Sequence, residues 1–396
     1  MTPDTWAQDE LFAPVLQERV ARFPGLIGVA LDDTRLRRWG THIPYTGWHR
    51  DPLSAPFHTN LLYGIRVLHA AVLFPHYAEP VSPAPCQGIP VRFRPAPAPK
   101  KPGKKAHPEQ WQAYREAQKK DTLSLQAVAL LGDLRAQFAA EGAEDRVLVS
   151  AMDGSFCNRN VFRTPIAGVV LLARARKEAR LCYPAPLGSR RTYDAQHFTP
   201  EEVRHDARIE WRTARVYLGG KKRQIRYKEC SGVLWQRGAG RRRLRLFVLA
   251  PQPYKISVGS RTYYRQPAYL LCTDLESPAP ELIQIYVDRW QIEVNHREQK
   301  SLMGVGDAQV RSLLSVPRHP AFAVACYSLL LLAGMREFGP AWRPEPFPLP
   351  RWRKKVPQRP SALDLLTRLR ADLHETRDSR YCINNIKHNL TRHAYT

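Results

Sequence analysis

Apolar residues fall along this chain in short dense runs, separated by polar, proline-rich or strongly basic stretches. Residues 26–31, LIGVAL, form one run that gives way abruptly to Asp32, Asp33 and Thr34. This is the pattern of a buried strand stopping at a polar edge. Residues 61–74, LLYGIRVLHAAVLF, read as further strand with Gly64 as a candidate bulge, so 26–74 is expected to open a sheet. Between 75 and 108 lie ten prolines and the run KKPGKK, which predicts an extended, solvated connector without ladder or helix. From His107 to about Ala140 breakers are few, and Leu123, Ala127, Leu130, Leu131 and Leu134 recur at helical spacing, predicting a helical hairpin or one long helix. RVLVSAMD (146–153) is a second buried run ending on an aspartate, followed by a helical NRNVFRTPIA and a strand GVVLLARAR, a βαβ-like alternation.

Residues 174–265 change character, with 23 Lys/Arg against 7 Asp/Glu, a net +16, and short β-like pieces such as RVYLGG, RQIRYKE and RRRLRLFVLA. Core-like patterning returns with the strand AYLLCT (268–273) and a helix from about Pro278 to Gly304. The chain thus divides into a short N-terminal segment (1–25), a first core part (26–175) containing the connector 75–108, a basic β-rich insertion (176–265), a second core part (266–345) and a basic C-terminal tail (346–396). Length and 43% hydrophobic content suffice for a sizeable core, and no internal repeat is visible.

The whole chain carries +25. Such an excess favours a polyanionic partner, nucleic acid ahead of a membrane surface. The seven cysteines are odd in number and scattered, with no CxxC pair, so neither a disulfide framework nor a zinc clip is expected and a reducing compartment is implied. The N-terminus lacks the basic start and apolar run of a secretory signal, and the fourteen-residue apolar stretch 321–334 is short of a membrane span and reads as a buried core helix. The expected location is the cytoplasm, with the nucleoid.

Asp32 and Asp153 each end an apolar run, where chemistry collects in open α/β sheets. The bland alternative is that each begins a turn or caps a helix. On the helix at 278–304, with ~100° per residue, Tyr286, Arg289, Glu293, Arg297 and Lys300 fall within an arc of about 80°, with Ile283, Val287, Trp290 and Val294 alongside. A solvated stripe of ion pairs has the same spacing, but it does not account for the tyrosine.

The order Tyr286, two residues, Arg289, three residues, Glu293, six residues, Lys300 reproduces the Y-(2)-R-(3)-E-(6)-K signature of DDE transposases of cut-and-paste bacterial insertion sequences. The surrounding IYVDRWQIEVNHREQKSLMGVGDAQVR also resembles that family, as do LDDT (31–34) and AMDGSFCN (152–158) with the following GVVLLARAR, so the similarity spans roughly residues 26–335. The resemblance implies an α/β fold, a ribonuclease H-like mixed sheet with flanking helices interrupted by a β-rich insertion, and Mg²⁺-dependent cleavage at transposon ends followed by 3′-OH strand transfer into target DNA. It implies Asp32, Asp153 and Glu293 as catalytic residues and ligands of two Mg²⁺ ions, with Mn²⁺ as a substitute. Asp33 adjoins the first position, and Asp274, which follows a strand, is the fallback for the second. Tyr286, Arg289 and Lys300 would grip a phosphate near the cut end; Arg174 and Arg176, leaving the strand after the second aspartate, would also contact DNA. Tyr269 occupies a position where some relatives stack a flipped base on tryptophan, with ordinary strand packing as the equal alternative. Trp211 and Trp235 are expected in the core. The expected partner is double-stranded DNA, both transposon ends and target, bound by a homodimer, with no membrane.

Family members carry a helical DNA-binding region before the first catalytic strand, whereas 25 residues precede Leu26 here, room for one helix. A shortened copy or a start at a downstream methionine would explain this. The competing functions are a related nuclease that cuts without strand transfer, and a non-catalytic or truncated DNA-binding derivative.

Overall fold

A computed structural model of the chain describes residues 8–378 apart from 41, 52, 53, 56, 76–84, 258 and 339–358. Helix α1 (Ala13–Arg22) precedes strands β1 (Ile27–Arg37), β2 (Thr46–Arg50), β3 (Leu61–Pro75) and β4 (Cys86–Pro95). Then come α2 (Pro108–Lys120), α3 (Leu123–Phe138), β5 (Leu148–Met152), the single turn α4 (Arg159–Phe162) and β6 (Val169–Arg174). The basic region holds β7 (Leu181–Pro184), β8 (Tyr193–Phe198), α5 (Pro200–His205), β9 (Arg212–Tyr217), β10 (Lys222–Leu234), β11 (Arg243–Leu249), β12 (Pro253–Tyr254) and β13 (Tyr263–Tyr264). Strand β14 (Ala268–Cys272) and helices α6 (Ala279–Asp288), α7 (Gln291–Leu302), α8 (Ser315–Phe338) and α9 (Ala362–Asp378) follow.

The protein is mixed α/β, with helices flanking one large sheet ordered β2-β3-β1-β5-β6-β14-β11-β10-β7-β8; β4 also pairs with β3, and β9 with β10. β5 lies parallel to β1 and to β6, and the remaining pairs are antiparallel. Alternation along β1 sends Ile27, Val29 and Leu31 to one face and Gly28 and Ala30 to the other. The first face packs against α1, α3 and α4 through Leu16, Leu131, Leu134, Phe138 and Phe162. The second packs against α6 and α7 through Leu282, Ile283, Ile285 and Ile292.

Several expectations need correction. LIGVAL does not stop at Asp32: β1 runs on to Arg37, and what ends there is the pairing with β5, whose last registered pair is Leu31 with Met152. Gly64 is in regular register with Arg37 rather than at a bulge; a Cβ there would lie 2.3 Å from the Leu36 carbonyl oxygen, so the close backbone approach requires glycine. The proline-rich stretch is no solvated connector throughout, because β4 lies inside it and is almost wholly buried. Its prolines are tolerated because, among the described residues, β4 has β3 as its single strand neighbour: Pro90 sits beside a bulge, its carbonyl accepts from Ser328 Oγ (2.9 Å), and Pro95 ends the strand.

Residues 107–140 form two helices, broken where Thr122 Oγ1 accepts from Leu125 N (3.2 Å) to cap α3. The expected helix at 278–304 is also two, α6 and α7, joined at Arg289–Trp290 through a tightened turn in which Trp290 N bonds Val287 O and Glu293 N bonds Trp290 O. Its supposed apolar arc is only partly buried, and Trp290 is 56% exposed. The basic insertion extends the core sheet rather than standing apart, since β11 pairs directly with β14, which pairs with β6. Its Lys228 is buried, donating to the carbonyls of Val203 (3.2 Å) and Asp206 (2.6 Å).

Trp211 and Trp235 pack against the core as expected. The apolar stretch 321–334 lies within the 24-residue α8, long and apolar enough to cross a membrane by length and composition, yet half of its most apolar window is covered within the protein. The six described cysteines are free thiols. Of the C-terminal tail, RWRKKVPQ (351–358) lies outside the described residues.

Candidate active site

The parallel pairing of β1 with β5 brings two distant segments to one level of the sheet, so Asp32 follows Leu31 where Asp153 follows Met152. Asp153 caps the turn leading to α4, its Oδ1 accepting from Ser155 N (2.8 Å) and Ser155 Oγ (2.6 Å). Asp32 is largely buried, on the face covered by α6 and α7. Burial first, and then the negative charge of Asp153, push its pKa up to about 7 against the pull of Arg289. Asp33 points to the other face and is neutralised by Arg66 (2.7 Å) and Arg35 (3.2 Å). Asp32 is therefore the acid that faces the site.

Glu293 reaches the same place from the start of α7. The Arg289 guanidinium bridges the two carboxylates, with Nη1 3.4 Å from Asp32 Oδ2 and Nη2 2.9 Å from Glu293 Oε1. Tyr286 is one turn earlier; burial raises its pKa, and Arg289, Arg174, Asp153 and Glu293 are its charged neighbours. Lys300 Nζ donates to Thr34 Oγ1 (2.8 Å), and burial, with Arg35 and Arg37 nearby, lowers its pKa. The tightened turn at Arg289–Trp290 thus keeps Tyr286, Arg289, Glu293 and Lys300 directed at β1 and β5. Arg297, by contrast, is exposed and turned toward Glu298 (3.8 Å).

Helix α7 is fixed by buried polar contacts. Asn295 donates to Gly88 O (3.1 Å) and accepts from Tyr327 Oη (3.1 Å), which also donates to Glu298 (2.7 Å). Beneath it His69, the cross-strand partner of Asp32, packs its ring 4.9 Å from that of His296, and burial holds both imidazoles neutral. No local pattern signals this pair, because His69 and His296 lie on elements far apart in the chain.

Arg174 and Arg176 stand exposed where β6 ends, on the same edge of the sheet as Asp153, and with Lys177, Arg204 and Tyr269 they line a cavity of about 480 Å³. Tyr269 forms its buried wall, 4% exposed, with its hydroxyl on Glu201. Glu201 in turn holds Arg204 through two hydrogen bonds (3.0 and 2.6 Å). Sequence reasoning missed Glu201 and Arg204, although the capping box Thr199–Glu202 that starts α5 was legible. Asp274 follows β14, which runs antiparallel to β6, and so lies at the opposite edge from Asp153. Its Oδ1 accepts from the backbone of Glu276 (2.7 Å) and Ser277 (3.0 Å), the turn-capping role.

The donor set suits a hard divalent cation, being carboxylate oxygens with a disfavoured buried charge at Asp32. Among the described residues no three acidic, imidazole or thiol groups are gathered closely enough to ligate one ion as they stand. Arg289 occupies the position between Asp32 and Glu293 instead. Comparison with known proteins finds no family model that matches the chain and no curated sequence that matches it.

Proposed function

We propose that this protein is a DDE-type DNA transposase, a polynucleotidyl transferase that cuts DNA at transposon ends and joins the freed 3′-OH to target DNA. The observation that carries the reading is the convergence of Asp32 and Asp153 on neighbouring parallel strands, with Glu293 linked to Asp32 through Arg289. The strand order β4-β3-β1-β5-β6, three antiparallel strands followed by two parallel ones, supports a ribonuclease H-like core. The pattern Tyr286, Arg289, Glu293, Lys300 and the charge of +25 support DNA as substrate.

Asp32, Asp153 and Glu293 would hold Mg²⁺, which when bound activates the attacking oxygen and stabilises the leaving one in displacement at phosphorus. As DNA arrives the Arg289 guanidinium releases Asp32 and Glu293 and donates to a phosphate oxygen instead, and Lys300 and the Tyr286 hydroxyl hold neighbouring phosphate oxygens. Arg174 and Arg176 extend that grip along the sheet edge. Tyr269 contributes through Glu201 and Arg204, which aim a guanidinium into the cavity it walls.

The test is incubation of the purified protein with the DNA flanking its gene, with and without Mg²⁺, scoring 3′-OH release and joining. Mg²⁺-dependent release and joining are expected. Release without joining identifies a nuclease, and binding without release a non-catalytic derivative.

A further inference from the structure

Between β11 and β14 the chain leaves the large sheet and returns as a separate two-stranded ribbon, β12 paired with β13, with Pro253 opposite Tyr264 and Tyr254 opposite Tyr263. β11 ends and β14 begins at the edge where β6 also ends, since Leu249 pairs with Ala268 and Leu270 with Arg174. The ribbon therefore projects from the sheet edge that carries Asp153, Arg174 and Arg176. Arg265 N to Gln252 O (2.9 Å) closes its base, and Arg223 Nη1 of β10 to Pro253 O (3.4 Å) joins it to the sheet.

Its composition differs from that of a spacer. Residues 250–267 contain Lys255, Arg261 and Arg265 and no acid. One face is a continuous stack: Arg261 lies 4.6 Å from the Tyr263 ring centroid, Tyr263 5.7 Å from Tyr254, and Arg265 5.7 Å from Tyr254. Each guanidinium is held in place on a ring while its N–H groups stay exposed. The other face presents Tyr264, 67% exposed, and Ile256 at the tip is 72% exposed. Uncompensated cations with exposed apolar side chains, on a ribbon of the width a DNA major groove admits, call for a polyanion with a groove.

We propose that this ribbon enters a groove of the duplex flanking the cut phosphate, with Lys255, Arg261 and Arg265 on the backbone and Tyr264 against the bases. The proposal rests on the reading of the protein as a DNA strand-transfer enzyme and adds the element that holds DNA beyond the catalytic edge. Because each backbone contact releases counterions, the three cations together set about 2.7 of the slope of log affinity against log salt.

The experiment titrates the full chain, and its Lys255→Ala/Arg261→Ala/Arg265→Ala variant, into a short fluorescent duplex carrying the flanking sequence, at several salt concentrations. The expected result is a slope smaller by about 2 to 3 with an unchanged thermal melt, and for Tyr264→Ala a loss of preference for that duplex over a scrambled one. An unchanged slope in the triple variant overturns the proposal and leaves the proposed function standing. Failure of the wild-type chain to bind any duplex overturns both. If the triple variant does not fold, Lys255→Gln and Arg261→Gln are measured singly; each lowers the slope by about 0.9, and no change in either overturns the proposal.

Discussion

At the scale of single residues, the site is a set of acids held in unequal surroundings. Asp32 and Asp153 stand close enough for one to raise the other, and Arg289 compensates Asp32 and Glu293 together. Replacing any of the three acids with its amide keeps shape while removing a ligand charge. Asp32→Asn, Asp153→Asn and Glu293→Gln are each expected to reduce Mg²⁺-dependent nicking on the order of 10³-fold or more while DNA retention in a gel-shift assay persists. Normal nicking by Asp153→Asn would remove that residue from the site. Asp288, just before Arg289, makes a separate prediction about stability. Its carboxyl is buried and accepts from Gln284 Nε2 (2.8 Å), and burial pushes its pKa up to about 8. The folded state therefore keeps a proton that the unfolded state releases near pH 4, so rising pH between about 4 and 8 destabilises the fold by up to about 1.4 kcal/mol per unit. Asp288→Asn removes that dependence. Its melting temperature relative to wild type should climb across this window, and parallel curves would refute the account.

At the scale of elements, the positions that decide the architecture are those where backbones approach closely. Gly64→Ala places a methyl against the Leu36 carbonyl, and because that atom is backbone, β1 and β3 must separate, at a cost of about 1–3 kcal/mol or more in denaturant unfolding. Asn295→Ala removes one hydrogen bond each from the Gly88 carbonyl and the Tyr327 hydroxyl, which keep Gln87 Nε2 (3.2 Å) and Glu298 (2.7 Å) as partners, and is expected to cost about 0.5–1.5 kcal/mol per lost bond while loosening the helix that presents Glu293. These elements were unequally legible in the sequence. The strands bearing Asp32 and Asp153 announced themselves because each is a short apolar run buried on both faces, and the helical pattern around Glu293 followed from residue spacing. Strand β4 was hidden by its prolines, which are tolerated because among the described residues the strand pairs on one side alone, with β3. The break between α6 and α7 had no glycine or proline to mark it; packing against β1, β3 and β4 sets it. Arg289 was legible as part of a motif, whereas its place between two carboxylates depends on a fold that joins β1 to a helix 257 positions later.

At the scale of the whole molecule, composition identified the basic region but not its attachment. A run of cations marks charge, while pairing of β11 with β14 is a non-local choice that fuses the region to the large sheet. Part of the charge serves the fold: Lys228 holds backbone carbonyls, and Arg245 pairs with Glu229 (2.7 Å). Under the proposed function, the cations that would meet DNA are those left exposed at the edge shared by β5, β6 and the β12–β13 ribbon. Net charge alone therefore overstates the footprint, and the position of a cation matters more than the sum. Neutralising Arg174 and Arg176 together should lower the salt slope of DNA binding by about 1.8, whereas neutralising an equal number of exposed cations elsewhere, such as Arg22 and Arg368, should leave it unchanged. A binding isotherm series over salt concentration checks both. Equal reductions from the two pairs would mean that DNA is attracted by the overall charge, with no preferred path along the sheet edge.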